Sequence, residues 1–465
     1  MFFSIKSRIL TPSQLEFTEY IMQETLSFSD RDEFHRKAIA ENIVKLLKPD
    51  TDISPLVIDG DWGTGKTEFS IKLKNLIIES ETESKVVYID AFKGDHAESP
   101  LLLITSAIAG ILPEKEKQTF IKKALPAIRF GMKTAVKAGA GWVLRQEADG
   151  IAEEFQDAMK KASNAAIDGA IENILEDHME AEKNINSLKT CIEELSAEQK
   201  TVIIIDELDR CKPNFSTAIL ETIKHIFDTN NVYFILVTNT KQLRASINHI
   251  YGYSLDSQKY LDKFIKYTIT LPDTFKNSRH ETYKASVAYW SQLIKEMPGL
   301  DSVEKHIGDG VRQLIQQTNL SLRETRTFAR NLNIFQRMEE KRFNERTFYI
   351  YKLIFITAVF IHCFGDKDLL KNELTPDSID KLAALFNVNK IPYTFERASD
   401  VSRIDIIFYG IIKESIHINK KFSPKNEEET QEFDALYKRF VDADFYNYTI
   451  KHQVNKFIQE MSFIR

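Results

Sequence analysis

Apolar residues in this chain follow two rhythms. One is the short unbroken run: Pro55-Leu56-Val57-Ile58, Val86-Val87-Tyr88-Ile89, Val202-Ile203-Ile204-Ile205 and Val232-Tyr233-Phe234-Ile235-Leu236-Val237. Such runs, rich in β-branched residues, predict parallel strands covered on both faces. The other rhythm is helical. Residues 31–47 predict one helix, with Phe34, Ile39, Ile43, Leu46 and Leu47 on its apolar side. Phe69, Leu73, Leu76 and Ile77 mark a second helix, and residues 101–112 an apolar third. Residues 265–271 alternate, close on Pro272 and predict a last short strand, whereas 91–96 read as a loop. From 113 to 200, and again after 275, the pattern is almost wholly helical. Lys425-Asn426-Glu427-Glu428-Glu429-Thr430 reads as a solvent loop. This order predicts an α/β protein with a doubly wound parallel sheet, one strand lying between the first and the Asp206-bearing strand. The expected divisions are an N-terminal segment 1–27, a core 28–275 interrupted by a helical insertion 113–200, a helical lid 276–340 and an all-α domain 341–465.

The first run leads into Gly60-Asp61-Trp62-Gly63-Thr64-Gly65-Lys66-Thr67, which fits G-x-x-x-x-G-K-[ST] at every fixed position. A strand before and a helix after it are the context that a phosphate-binding loop requires. Backbone N–H groups and the helix N-terminus then face a triphosphate. Glycines permit close approach. Lys66 can bridge the β- and γ-phosphates, Thr67 can offer its hydroxyl to Mg²⁺, and Glu68 follows within the same binding segment. The third run ends in Asp206-Glu207, where open α/β sheets place their ligand chemistry. Asp206 suits the Mg²⁺ shell. Glu207 suits orientation or deprotonation of an attacking water, with Asp95 and Asp209 as alternatives. Asn239, at the tip of the fourth run, can hydrogen-bond that water or the γ-phosphate; Thr238 is the other choice.

The chain has 465 residues, 43% hydrophobic and 28% charged, with net charge −6. This is ordinary globular composition, and it argues against a polycation built for nucleic acid. Three cysteines, Cys191, Cys211 and Cys363, lack metal or redox spacing and fit a reducing cytoplasm. The run 353–364 is too short to span a bilayer. No signal peptide is expected at the N-terminus.

Further segments carry a resemblance. The loop holds a tryptophan; Tyr88-Ile89-Asp90-Ala91-Phe92-Lys93-Gly94-Asp95 follows the second strand; and Ile205-Asp206-Glu207-Leu208-Asp209-Arg210-Cys211, Tyr260-Leu261-Asp262-Lys263-Phe264-Ile265 and Leu320-Ser321-Leu322-Arg323-Glu324-Thr325-Arg326 complete the set. Over roughly residues 28–335 the chain resembles the KAP P-loop NTPases, a branch of the additional-strand catalytic-glutamate class. The resemblance implies ATP with Mg²⁺, hydrolysis, and a switch of the kind found in bacterial signalling and anti-phage defence. It implies a homo-oligomer or an effector protein as partner. Arg210, Arg323, Arg326 or Arg330 would supply positive charge to the nucleotide. Alternatives are an ATP-locked scaffold subunit and a nucleic-acid-stimulated ATPase. Two departures stand out: Glu207 where the family often has Asp, and a charged insertion where many members carry transmembrane helices.

That insertion sets Ile121, Leu125, Ile128, Met132 and Val136 at helical spacing beside Lys122, Arg129, Lys133 and Lys137. A packed helix with a solvated basic rim is the preferred reading, ahead of a membrane-surface helix or a surface for nucleic acid or a partner. Pro126 argues against one straight helix. Glu176-Asp177-His178-Met179-Glu180 scatters round a helix and reads as a solvated face, not a metal site. Phe440, Phe445, Tyr446 and Tyr448 read as core rather than base-stacking groups.

Overall fold

The computed structural model describes residues 26–137, 174–338 and 343–462, apart from 33, 49, 82, 98, 198, 227–228, 277–281, 367 and 442–448. The chain divides into two compact units, Met1–Pro272 and Asp273–Arg465.

The first unit is built on a five-stranded parallel sheet in the order β2-β3-β4-β1-β5. The strands are β1 (Leu56–Asp59), β2 (Lys85–Asp90), β3 (Thr201–Asp206), β4 (Val232–Thr238) and β5 (Tyr267–Thr270). β4 therefore lies between β1 and β3, as the expected inserted strand. Every residue of β3 and β4 is buried. Their side chains alternate between two cores. Ile203, Ile205, Phe234 and Leu236 pack against helices Pro100–Ile111, Pro213–Lys224 and Thr240–Tyr251. Val202, Ile204, Ile235 and Val237 pack against helices Lys37–Leu46 and Lys66–Ser80. Two covered faces explain why these runs show no polar alternation. The register aligns the strand ends: Asp90 pairs with Asp206, and Asp59 with Thr238.

Four local expectations are corrected. The first helix begins at Lys37, not at 31, because Asp32 Oδ1 accepts from the Arg36 and Lys37 N–H groups and His35 sits at φ +52°. Residues 91–96 are helical: Asp90 caps Lys93 and starts a turn at Ala91–Gly94, followed by a 3₁₀ turn. The segment from 425 becomes a helix at Glu427, its acidic first turn suited to a helix N-terminus. A small hairpin, Thr274–Lys276 with Thr282–Lys284, opens the second unit and left no clear sequence signal.

The insertion contributes helices Glu114–Lys137 and Ile174–Ser196. The first runs through Pro126. Phe120, Ile121, Ala124 and Ile128 join the sheet's core, which offsets the hydrogen bond that proline removes. Lys122 is exposed, and Lys123 pairs with Glu194. The side chains of Arg129, Lys133, Lys137 and 176–180 lie outside the described residues, as does Trp142.

The second unit has one all-helical core from Trp290 to Met461, including Phe328, Phe360, Phe386, Phe408 and Phe433. The apolar run at 353–364 is its central helix, Tyr349–Phe364, buried along almost its whole length. Phe440 packs on this core, and Phe445, Tyr446 and Tyr448 lie outside the described residues. Among the described residues no helix is long and apolar enough to cross a membrane.

Phe234 is fully buried between β1 and β3 neighbours. Phe234→Ala is expected to cost about 3–5 kcal/mol. Ile78→Ala, at a site 43% exposed, should stay within about 0.5 kcal/mol. Hydrogen exchange of the sheet amides reads both values unit by unit.

Candidate functional site

β1 stops at Asp59 because the next residues cannot continue a strand. Gly63 and Gly65 adopt φ +79° and +83°, angles that L side chains avoid. At Gly60 an added Cβ would stand 2.8 Å from Thr64 Oγ1. The helix Lys66–Ser80 starts from Gly65 without a side-chain cap, so its N-terminal dipole faces the loop. Lys66 Nζ turns into this loop and donates to the Gly60 carbonyl at 2.6 Å and the Asp61 carbonyl at 3.2 Å. Burial lowers its pKa, while Asp209, Asp206 and Asp59 work in the other direction.

Asp206 is almost fully buried at the end of β3. Its Oδ2 accepts from Tyr88 Oη at 2.6 Å and Ser70 Oγ at 3.2 Å, and its Oδ1 from the Glu207 N–H at 2.7 Å. Burial pushes its carboxyl above the usual range; Tyr88, Glu207, Thr67 and Ser70 pull it back. Glu207 stands at φ +60°. Its carboxylate lies 3.5 Å from Thr67 Oγ1 and 2.7 Å from Arg210. Burial raises its pKa, Arg210 opposes this, and Asp90, Asp206 and Asp209 reinforce it.

The remaining loop residues spread outward. Thr64 Oγ1 donates to the Asp61 carbonyl. The Asp61 carboxylate accepts from Asn239 Nδ2 at 3.4 Å and Lys241 Nζ at 3.3 Å. Asn239 Oδ1 meanwhile caps helix Thr240–Tyr251, so the side chain is held at the loop's edge. Thr238 Oγ1 is buried and lacks a hydrogen-bond partner. Glu68 pairs with Arg31 at 2.6 Å and Lys72 at 2.8 Å. Asp95, named above as an alternative to Glu207, accepts from the Lys212 N–H at 3.2 Å.

Thus the fold gathers Lys66, Thr67, Asp206, Glu207 and Asn239 at one end of the sheet. Arg210 joins them. Arg323 and Arg330 are exposed on helix Leu322–Met338 of the second unit, and Arg326 there contacts Tyr289 and Glu296. The hard oxygens of Thr67 and Asp206 suit Mg²⁺ held together with phosphate. Among the described residues no cluster of His, Cys, Asp and Glu could cage a metal alone. The cap-free helix end, the glycine curvature and the buried lysine fit a polyphosphate in the same way.

Four side chains make contacts that the sequence does not signal. Tyr88 and Ser70 orient Asp206, and nothing in their spacing signals it. Trp62 donates its indole N–H to Asp209 at 2.5 Å. Arg36, buried beside the Phe34 ring, donates to the Thr64 carbonyl at 2.8 Å and the Pro272 carbonyl at 2.9 Å.

Comparison with known proteins decides the family. The KAP family P-loop domain matches residues 36–338. The chain belongs to the KAP family of P-loop NTPases. The Phage T7 exclusion protein of Escherichia coli (strain K12) is 22% identical over 280 residues, which cover 56% of this chain and 36% of that protein. The chain thus spans little more than a third of that relative's length. The Aeropyrum pernix ORC2 protein (ADPNP-ADP complexes) superposes over 91% of this chain and 94% of its own, at 13% identity and TM-score 0.35. That superposition is too loose to inform the site.

In this KAP chain Arg36 braces the loop from behind. Arg36→Ala should cost about 3 kcal/mol in the first unit, because two carbonyls lose a charged donor. Arg36→Lys should recover less than half of it, since one ammonium cannot reproduce the fork. Urea denaturation followed by sheet-amide exchange measures the difference.

Proposed function

We propose that this protein binds Mg-ATP in the Gly60–Thr67 loop and hydrolyses it, as a switch whose nucleotide state acts on its helical regions. The observation that carries the reading is the placement of Glu207: its carboxylate is 3.5 Å from the Thr67 hydroxyl and next to the buried Asp206. A carboxylate able to act as base thereby stands beside the two oxygens, of Thr67 and Asp206, that suit a metal held with phosphate.

The roles follow from charge and reach. Gly60, Asp61, Trp62, Gly63, Thr64 and Gly65 shape the loop round the phosphates, and Glu68 lies one residue past the Thr67 hydroxyl. Lys66 exchanges loop carbonyls for phosphate oxygens, gaining charge for charge. Thr67 and Asp206 would hold Mg²⁺, with Tyr88 and Ser70 fixing the Asp206 rotamer. Mg²⁺, when bound, neutralises charge on the β- and γ-phosphates. Glu207 orients the lytic water and takes its proton. Asn239 hydrogen-bonds the same water or the γ-phosphate, from a side chain already tied down as a helix cap. Arg210 sits with Glu207 and leaves it for the transition-state charge.

The relative's printed name, Phage T7 exclusion protein, supports an anti-phage role, with a protein effector or a second copy as partner. The absence of a spanning helix among the described residues supports a cytoplasmic setting. Nucleic acid is disfavoured as activator by the net charge of −6.

Lys66→Ala should abolish tight triphosphate binding in a titration with fluorescent ATP analogue; affinity within about twofold of wild type contradicts the loop assignment. Glu207→Gln should retain Mg-ATP and turn over roughly 10²-fold more slowly or worse. A variant that keeps near-wild-type turnover passes the water-orienting role to another group. One that loses binding makes Glu207 a metal-holding residue. Turnover measured with and without DNA or RNA separates the switch from a nucleic-acid-stimulated ATPase.

A further inference from the structure

We propose that Trp62 is a positioning residue for hydrolysis, acting through its bridge to Asp209. The inference rests on the functional reading above. Trp62 belongs to the glycine loop after β1, and Asp209 to the 3₁₀ turn Leu208–Arg210 after β3. These strands are not neighbours, because β4 separates them. Two strand spacings come to roughly 10 Å. The glycine loop and the 3₁₀ turn close that gap together, and the Trp62 indole donates to Asp209 Oδ2 at 2.5 Å. The bond therefore joins the segments that leave β1 and β3 at the sheet's carboxyl edge, where open α/β sheets hold their ligands.

The partner end of the bridge is the more informative. Asp209 is 6% exposed, while Trp62 is 49% exposed. A tryptophan left half in water, with its one polar atom turned inward to a buried carboxylate, is placed by that hydrogen bond rather than by packing. Asp209 lies on the same turn as Glu207 and Arg210. Glu207 holds a left-handed backbone, which a glutamate keeps only when its surroundings fix it. Several contacts do so from the β3 side. The Arg210 N–H donates to the Glu207 carbonyl at 3.1 Å, the Glu207 N–H to Asp206, and Arg210 pairs with the Glu207 carboxylate. From the loop side, Trp62 holds the Asp209 end of the turn, while Thr67 Oγ1 meets the Glu207 carboxylate itself at 3.5 Å. Trp62 links the segment that holds phosphate to the segment that holds the base. Without it the Asp209 end of the turn loses its tie to the loop, and the aim of Glu207 loosens while the loop's own phosphate contacts remain. The bridge acts on the chemical step and leaves affinity nearly unchanged.

The test uses the full chain, with ATP as the probe. Single-turnover hydrolysis and Mg-ATP affinity are measured for wild type, W62F, D209A, D209N and W62F/D209A. We expect W62F to lower the hydrolysis rate about tenfold with affinity within about threefold. D209N keeps an acceptor for the indole and should recover most of what D209A loses. The double variant should be no slower than the worse single variant, the mark of one shared interaction. Tryptophan emission gives a readout independent of activity. Subtracting the W62F spectrum isolates Trp62, and D209A should shift that component while D209N keeps it. W62F keeps the proposal testable if D209A fails to fold. An unchanged Trp62 component in D209A overturns the bridge, and additive rate losses overturn its role. W62F turnover within twofold of wild type in a hydrolysing chain overturns the positioning role alone. A wild-type chain that binds but never hydrolyses ATP removes the functional reading and this role with it.

Discussion

Three adjacent strands, β3, β4 and β1, are sealed on both faces, and this burial governs everything else in the first unit. A charge inside such a strand would face apolar helices with no water to pay its desolvation. Polar chemistry can begin only where a strand ends. The register then decides which ends meet. Asp90 with Asp206 and Asp59 with Thr238 form a polar rim along the carboxyl edge, and the glycine loop, the Glu207 turn and the Asn239 cap all emerge from it. The site is a consequence of sheet order as much as of motif.

The rim collects more acid than base. Asp59, Asp90, Asp206, Glu207 and Asp209 stand around Lys66 and Arg210. Burial and mutual repulsion raise the Glu207 carboxyl, and burial raises that of Asp206 despite four hydrogen-bonding groups. Such an arrangement is electrostatically unfinished. On the proposed reading, a divalent cation would relieve the carboxylates and a polyphosphate the lysine and the helix end, so each ligand would improve the site for the other.

The parts legible from sequence were those whose physics is local. Val202 to Ile205 announces a doubly covered strand, and Gly60 to Thr67 a loop that only glycines allow. Helix starts were less legible, because they turned on single side-chain contacts. Asp32 moved one start from 31 to Lys37, and Asp90 made a turn out of an apparent loop. Long-range partners left no trace. Tyr88 reaches Asp206 across 118 positions, Trp62 reaches Asp209 across 147, and Arg36 reaches Pro272 across 236. No period or spacing encodes contacts of that separation; the sheet order creates them.

Arg36 shows how far one such contact extends. Its guanidinium holds the Thr64 carbonyl of the loop and the carbonyl of Pro272, the last residue of the first unit. The backbone beside Pro272 is also fixed to the loop strand, since the Leu271 N–H donates to the Asp59 carbonyl. The chain thus leaves the nucleotide-binding unit from a point tied twice to the strand and loop that would grip phosphate. Planar and always charged, arginine presents separate nitrogens, Nη1 and Nη2, to the two carbonyls, where lysine has a single nitrogen. Thr64 and Pro272 cannot separate without breaking one of those bonds in a buried setting, where an unmet carbonyl is costly. Within the first unit, the end of its chain and the phosphate-binding loop are therefore coupled through one side chain.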